Sequence, residues 1–180
     1  GLTLGTIVRD PVRDRALLTP FSTLLVRRAE CAARLAGGDA AAARLAVTEA
    51  DAAYLAPVAF GMAPDLFDQP LAGFPASPAE AASLVLASEA LLESLRRTAR
   101  ALAGTASEGT VDDLLSALSC DLVNGRLDGE EGDGRVTAVF RVVSAGVLAE
   151  IAQGELSIDG EAATALVEAA ADATFGTRGA

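Results

Sequence analysis

Residues 77–104 read SPAEAASLVLASEALLESLRRTARALAG, and this stretch decides the fold class. Ser77 is a favoured helix N-cap. Pro78 suits the first helical position because its missing N–H is not needed there, and Glu80 completes a capping box. Leu84, Leu91, Leu95 and Leu102 then recur at the spacing of a helical seam. Gly104 stops it. The periodic run is too long for a strand, so it predicts a helix from Ser77 to about Ala103.

The same grammar extends in both directions. Thr19-Pro20 repeats the cap-then-proline start, and Gly37-Gly38 ends that helix. Asp39 caps a second helix, with Leu45, Ala52, Leu55 and Ala59 as its inward face. Pro57 should end or kink it. Residues 61–76 carry Pro64, Pro70 and Pro75, with Phe67 and Phe74 as apolar anchors and Phe60 just before. They read as an ordered loop. Downstream, Thr110-Val111-Asp112-Asp113 starts a helix that runs into an acidic loop. Residues 136–152 are β-like in composition at Val136–Val143 and helical at Val147–Ile151. Their length favours a helix. A last helix is expected from about Asp159 to Thr174.

At the other end, residues 1–8 (GLTLGTIV) have the composition of a short strand, and residues 9–16 form a charged connector. A lone strand needs a partner for its backbone groups. That partner is the chain itself, a preceding β-domain or a neighbouring molecule. The expectation is an all-α fold: a compact bundle of about five or six helices with a short N-terminal β-strand segment. Residues 1–16 would be strand and connector, and residues 17–176 the helical domain.

Composition narrows the function. Forty of 180 residues are Ala, aromatic residues make up 4%, and there is no Trp. Ala and Leu build close-packed helices. All fourteen basic residues are Arg, which with the Ala excess points to a GC-rich bacterial coding sequence. The net charge of −11 would repel a nucleic acid, and no basic stripe interleaved with aromatics offsets it. The absence of His removes Ser-His-Asp and Cys-His catalysis, and zinc sites that need imidazole. The longest apolar runs are broken by Arg, Glu or Gly before about 18 residues, so no transmembrane segment is predicted. The chain opens on Gly1 with no signal peptide, which reads as a mature form or an excised domain.

Cys31 and Cys120 are the only cysteines. Cys31 shares a helical face with Phe21, Leu24 and Leu35 and should point into a core. If the chain is exported the pair can form a bridge; otherwise both are buried free thiols that pack as small hydrophobes.

One polar cluster has sequence order. From Asp121 to Gly134 the chain offers Asp121, Asn124, Asp128, Glu130, Glu131 and Asp133, with glycines at 125, 129, 132 and 134. Calcium prefers six to eight oxygen ligands of this kind, which makes Asp121, Asn124, Asp128, Glu130 and Asp133 the candidate metal ligands. The spacing does not match an EF-hand loop. The alternative is a solvated turn in which these side chains bond local backbone. The adjacent pairs Asp112/Asp113 and Glu130/Glu131 do not face each other across a cleft as glycoside hydrolysis requires. Ser22 and Ser116 have no base partner and read as caps or core hydroxyls. Arg96, Arg97 and Arg100 read as a solvated face paired to Glu89 or Glu93.

Two strings, Thr19-Pro20-Phe21-Ser22-Thr23-Leu24 and Asp121-Leu122-Val123-Asn124-Gly125-Arg126-Leu127-Asp128-Gly129, carry a family resemblance. Together they resemble the "TPLTTL … DLxDGxxDG" helical domain of bacterial surface proteins and lipoproteins. That domain often follows immunoglobulin-like or carboxypeptidase-regulatory-like domains. The likeness covers roughly residues 15–175. Phe21, Ser22 and Asn124 stand where that wording has Leu, Thr and Asp. The resemblance implies an extracellular or cell-surface location and no settled activity. The expected function is a non-catalytic structural module that self-associates, as a scaffold, filament or adhesin component. Its partners would be further copies or neighbouring domains of a surface protein. The alternative is a calcium-stabilised binding module for a surface glycan or protein, and behind it a carboxylate-based hydrolase.

Overall fold

The computed structural model of the protein describes residues 19–41, 55–61, 77–158 and 160–165. The fold is all-α. Its principal helices are α1 (Pro20–Leu35), α2 (Pro78–Leu102), α3 (Val111–Asp121) and α4 (Gly134–Gln153). Short 3₁₀ turns at Ala56–Val58 and Leu122–Asn124 punctuate them. Residues 1–16 lie outside the described residues, and with them the expected N-terminal strand.

The helix starts follow the chemistry of the caps. Thr19 and Ser22 exchange bonds at the head of α1: the Ser22 N–H donates to Thr19 Oγ1 at 3.0 Å, and the Thr19 N–H donates to Ser22 Oγ at 2.9 Å. Ser77 accepts from the Glu80 N–H at 3.2 Å ahead of α2. Thr110 and Asp113 form a reciprocal box at α3. The Thr110 hydroxyl and backbone N–H hold the exposed Asp113 carboxyl below its ordinary range. Each cap satisfies donors that a helix start leaves without partners.

α2 packs along α4, α1 packs along α3, and α3 touches both α2 and α4. One cluster fills the centre: Phe21, Leu24 and Leu25 from α1; Leu91, Leu95 and Leu102 from α2; Leu114, Leu115 and Leu118 from α3; Phe140 from α4. Leu55, Val58 and Ala59 join it from the segment around Pro57. Pro57 sits in the 3₁₀ turn, as its missing N–H favours. The described part of the second helix is its capped start, where Asp39 accepts from the Ala41 N–H at 2.9 Å. Leu45, Ala52 and most of residues 61–76, including Phe67 and Phe74, lie outside the described residues.

Two expectations need correction. The helix expected from Asp159 is preceded by a two-stranded antiparallel hairpin, β1 (Ser157–Ile158) and β2 (Glu161–Ala162), and helical residues begin only at Ala163. Gly160 takes φ 88°, the left-handed value that Asp-Gly turns exploit. Leu156, Ile158 and Ala163 pack with Ala90 and Val147 as a second small cluster. Leu35 is the next departure. It closes α1 and is 54% exposed, although Cys31, Phe21 and Leu24 on the same face are buried. By length and composition alone, α4 is also apolar enough to cross a membrane. Arg135, Arg141 and Glu150 lie within it.

Candidate functional site

The acidic loop joins α3 to α4, and Asp121 is its organising residue. Asp121 ends α3 and has no solvent-exposed surface. One carboxyl oxygen accepts from the Gly129 N–H at 2.8 Å, and the other accepts from the Thr137 hydroxyl at 2.9 Å. A single side chain thus ties the end of α3, the middle of the loop and the first turn of α4. The glycines make this approach feasible. A Cβ at Gly132 would lie 2.6 Å from the Ala117 carbonyl oxygen and 3.1 Å from Asp121 Cβ. Gly129 has φ 83°, and a Cβ there would lie 2.7 Å from Gly134 Cα. Replacing Gly132 by Ala should destabilise the protein by about 1–3 kcal/mol, because backbone must move to admit the methyl. Chemical denaturation would show this as a lower midpoint at unchanged slope.

The other expected ligands serve the backbone. Asn124 accepts from the Arg126 N–H at 2.8 Å, and Asp128 accepts from the Glu130 N–H at 3.2 Å. Asn124 Nδ2 lies 3.4 Å from Asp128 Oδ2. Asp133 caps α4, accepting from Arg135 and Val136 N–H groups at 2.9 and 3.2 Å. Burial of Asp133 works against its charged form, but the Val136 N–H and the Ser107 hydroxyl outweigh it and hold the carboxyl below its ordinary value. Asn124, Asp128, Glu130 and Asp133 are exposed, whereas Asp121 is buried. Among the described residues, no three His, Cys, Asp or Glu side chains are grouped so as to hold a metal ion. The geometry here is that of a chain of turns around Asp121.

A second constellation clamps α1 to α3. Cys31 and Cys120 are at disulfide distance, with sulfurs 2.04 Å apart and Cα atoms 5.3 Å apart. Arg34 Nη2 lies 3.2 Å from Cys31 Sγ and 3.1 Å from Cys120 Sγ. Arg27 donates to the Asp112 carbonyl at 2.7 Å and to its carboxylate at 2.6 Å, and also reaches the Ser116 hydroxyl. Arg28 is buried and donates to the Leu122 carbonyl at 3.1 Å. A guanidinium there satisfies a carbonyl at the C-terminal end of α3, where positive charge is favoured. Composition reasoning missed Arg28 because arginine is rarely buried; its i+4 distance from the core residue Leu24 was the available signal.

α2 and α4 are pinned by a different arginine. Arg97 donates to Glu150 at 2.6 and 2.9 Å and to Glu93 at 2.9 Å. The Arg97 bond holds the Glu150 carboxyl below its ordinary range. Glu93 was expected as the partner of this face; Glu150 on α4 was not.

An open groove of about 320 Å³ lies between the turn at Ala56–Pro57, Phe60 and the α4 residues Arg141, Ser144 and Leu148. Among the described residues its lining has no carboxyl or thiol. The remaining feature is α4 itself: of its 20 residues only Val136, Thr137, Phe140 and Val147 are buried. Val142 is 76% exposed and Leu148 45% exposed.

No family model matches the chain, and no curated protein or solved structure matches it. The resemblance to the helical surface domain therefore rests on the Thr19–Leu24 and Asp121–Gly129 strings.

Proposed function

We propose that this chain is a non-catalytic structural module of a bacterial cell surface that associates with further copies of itself. The observation that carries this reading is the exposed apolar length of α4. A helix that is apolar on most sides is normally buried; α4 buries four residues and half-buries Val139, Val143 and Ile151, but leaves Val142, Leu148 and several alanines exposed. The absence of His from the sequence and the use of the loop side chains as turn and cap acceptors support the non-catalytic part. The surface location is supported by the cysteine pair, since disulfides persist in oxidising compartments, and by the two-string resemblance.

Sedimentation velocity across a concentration series tests the reading. Association to dimers or larger species is the expected result, and a monomer at every concentration overturns it. The calcium-stabilised alternative has its own measurement. Because Asp121 uses both oxygens inside the protein, melting temperature should be the same in calcium and in chelator. A rise with calcium would favour the binding-module reading.

A further inference from the structure

We propose that the Cys31–Cys120 bridge is a site of thiol–disulfide exchange in the folded protein, entered at Cys120 and assisted by Arg34. The site joins α1 to α3 and involves no residue of α4. Its two sulfurs differ in access. Cys31 is 2% exposed, whereas Cys120 is half-buried. An incoming thiolate therefore reaches Cys120 Sγ first and makes Cys31 the departing sulfur.

Arg34 separates this bridge from a purely structural one. Its Nη2 lies 3.2 Å from Cys31 Sγ and 3.1 Å from Cys120 Sγ. The nearby arginines are spent on oxygen, Arg27 on Asp112 and Arg28 on the Leu122 carbonyl. Among the described residues, no carboxylate lies within ion-pair distance of Arg34. A neutral disulfide gains little from a guanidinium. Sulfur gains more once it carries charge, along the exchange path and in the thiolate that leaves. Cys120 is also the last residue but one of α3, where helix carbonyls disfavour a thiolate, and Arg34 offsets them. Arg34 is itself exposed, so it can follow the sulfurs as they separate.

The co-reactant is a low-molecular-weight thiol in its thiolate form. It attacks Cys120 Sγ, and a new S–S bond forms there as the bond to Cys31 breaks. The bonding pair leaves on Cys31 Sγ, as a thiolate beside Arg34. The incoming sulfur is oxidised and Cys31 is reduced. A second thiolate can then attack the incoming sulfur, giving the small-molecule disulfide and a Cys120 thiolate. Attack by Cys31 instead restores the bridge.

Glutathione is the probe, added to the full chain under native conditions. Exchange is stopped with N-ethylmaleimide and the sites are read by peptide mass. The early product should carry glutathione on Cys120 and maleimide on Cys31. Arg34→Gln should slow the reaction at least about threefold, and Arg34→Lys should keep most of the rate. Circular dichroism checks that both variants fold. Added salt should narrow the gap between wild type and Arg34→Gln, because the charge is exposed. Urea below the unfolding transition should leave the rate nearly unchanged. A rate that climbs with urea in step with unfolding places the exchange in the opened chain and overturns the proposal. So do glutathione found mainly on Cys31, an Arg34→Gln rate equal to or above wild type, and free thiols at both positions in the native protein.

Discussion

Reducing Cys31–Cys120 should lower stability by about 4–5 kcal/mol, the chain-entropy value for a loop of this size. The cysteines are 89 positions apart, so the bridge excludes a large share of the conformations open to the unfolded chain. The folded state loses less on reduction. Arg27 still bonds Asp112, Arg28 still bonds the Leu122 carbonyl, and Phe21, Leu24 and Leu25 stay in the central cluster. Most of the effect therefore acts through the denatured ensemble. For a chain of this length, each kcal/mol corresponds to roughly 2–4 °C in melting temperature. A fall of about 8–20 °C with reductant is expected, with the helical circular dichroism below the transition retained. The same denaturation midpoint with and without reductant, in protein whose thiols then alkylate, would sink this account.

Replacing Asp121 by Ala should cost about 2–5 kcal/mol, because it strands the Gly129 N–H and the Thr137 hydroxyl in a buried site. It also opens space beside Gly132, which packs against Asp121 Cβ. Asp121→Asn separates hydrogen bonding from charge. Its oxygen can still accept from Gly129, its amide can donate to Thr137 Oγ1, and the threonine hydroxyl can turn to the Asp133 carbonyl one helical turn back. That variant should lose about 1 kcal/mol. Asp128→Ala, at an exposed turn position, should lose less than about 1 kcal/mol. Equal losses for Asp121→Ala and Asp128→Ala in urea denaturation would contradict the central role assigned to Asp121.

The helices were legible because their starts are local. Thr19-Pro20, Ser77-Pro78 with Glu80, and Thr110 with Asp113 satisfy N–H groups within one turn, so sequence order alone contains the interaction. The Leu91–Leu95–Leu102 seam was legible for the same reason. The loop from Asp121 to Gly134 was legible as a cluster but not as a mechanism. Six acidic or amide side chains look alike in a string, and only their three-dimensional closure sets Asp121 apart as buried and doubly bonded. Arg28 and Glu150 are long-range partners, 94 and 53 positions from the groups they contact, and no local pattern encodes them. The hairpin at Ser157–Ala162 was missed because two-residue strands carry no periodicity. Its one signal was Asp159-Gly160, which was read as a helix start. Val142 was read only for propensity; which side of α4 would lack a neighbour depends on packing that propensity does not report.

The Cys31–Cys120 connection also changes how the chain would carry tension. Force applied to its two ends would pass from residue 31 directly to residue 120. The residues between them could lose their packing but could not lengthen the tether. Fully drawn out, that span would otherwise add roughly 300 Å of slack. A surface assembly built from such units would stretch only through its flanks, and a reducing environment would convert it from a stiff link into an extensible one.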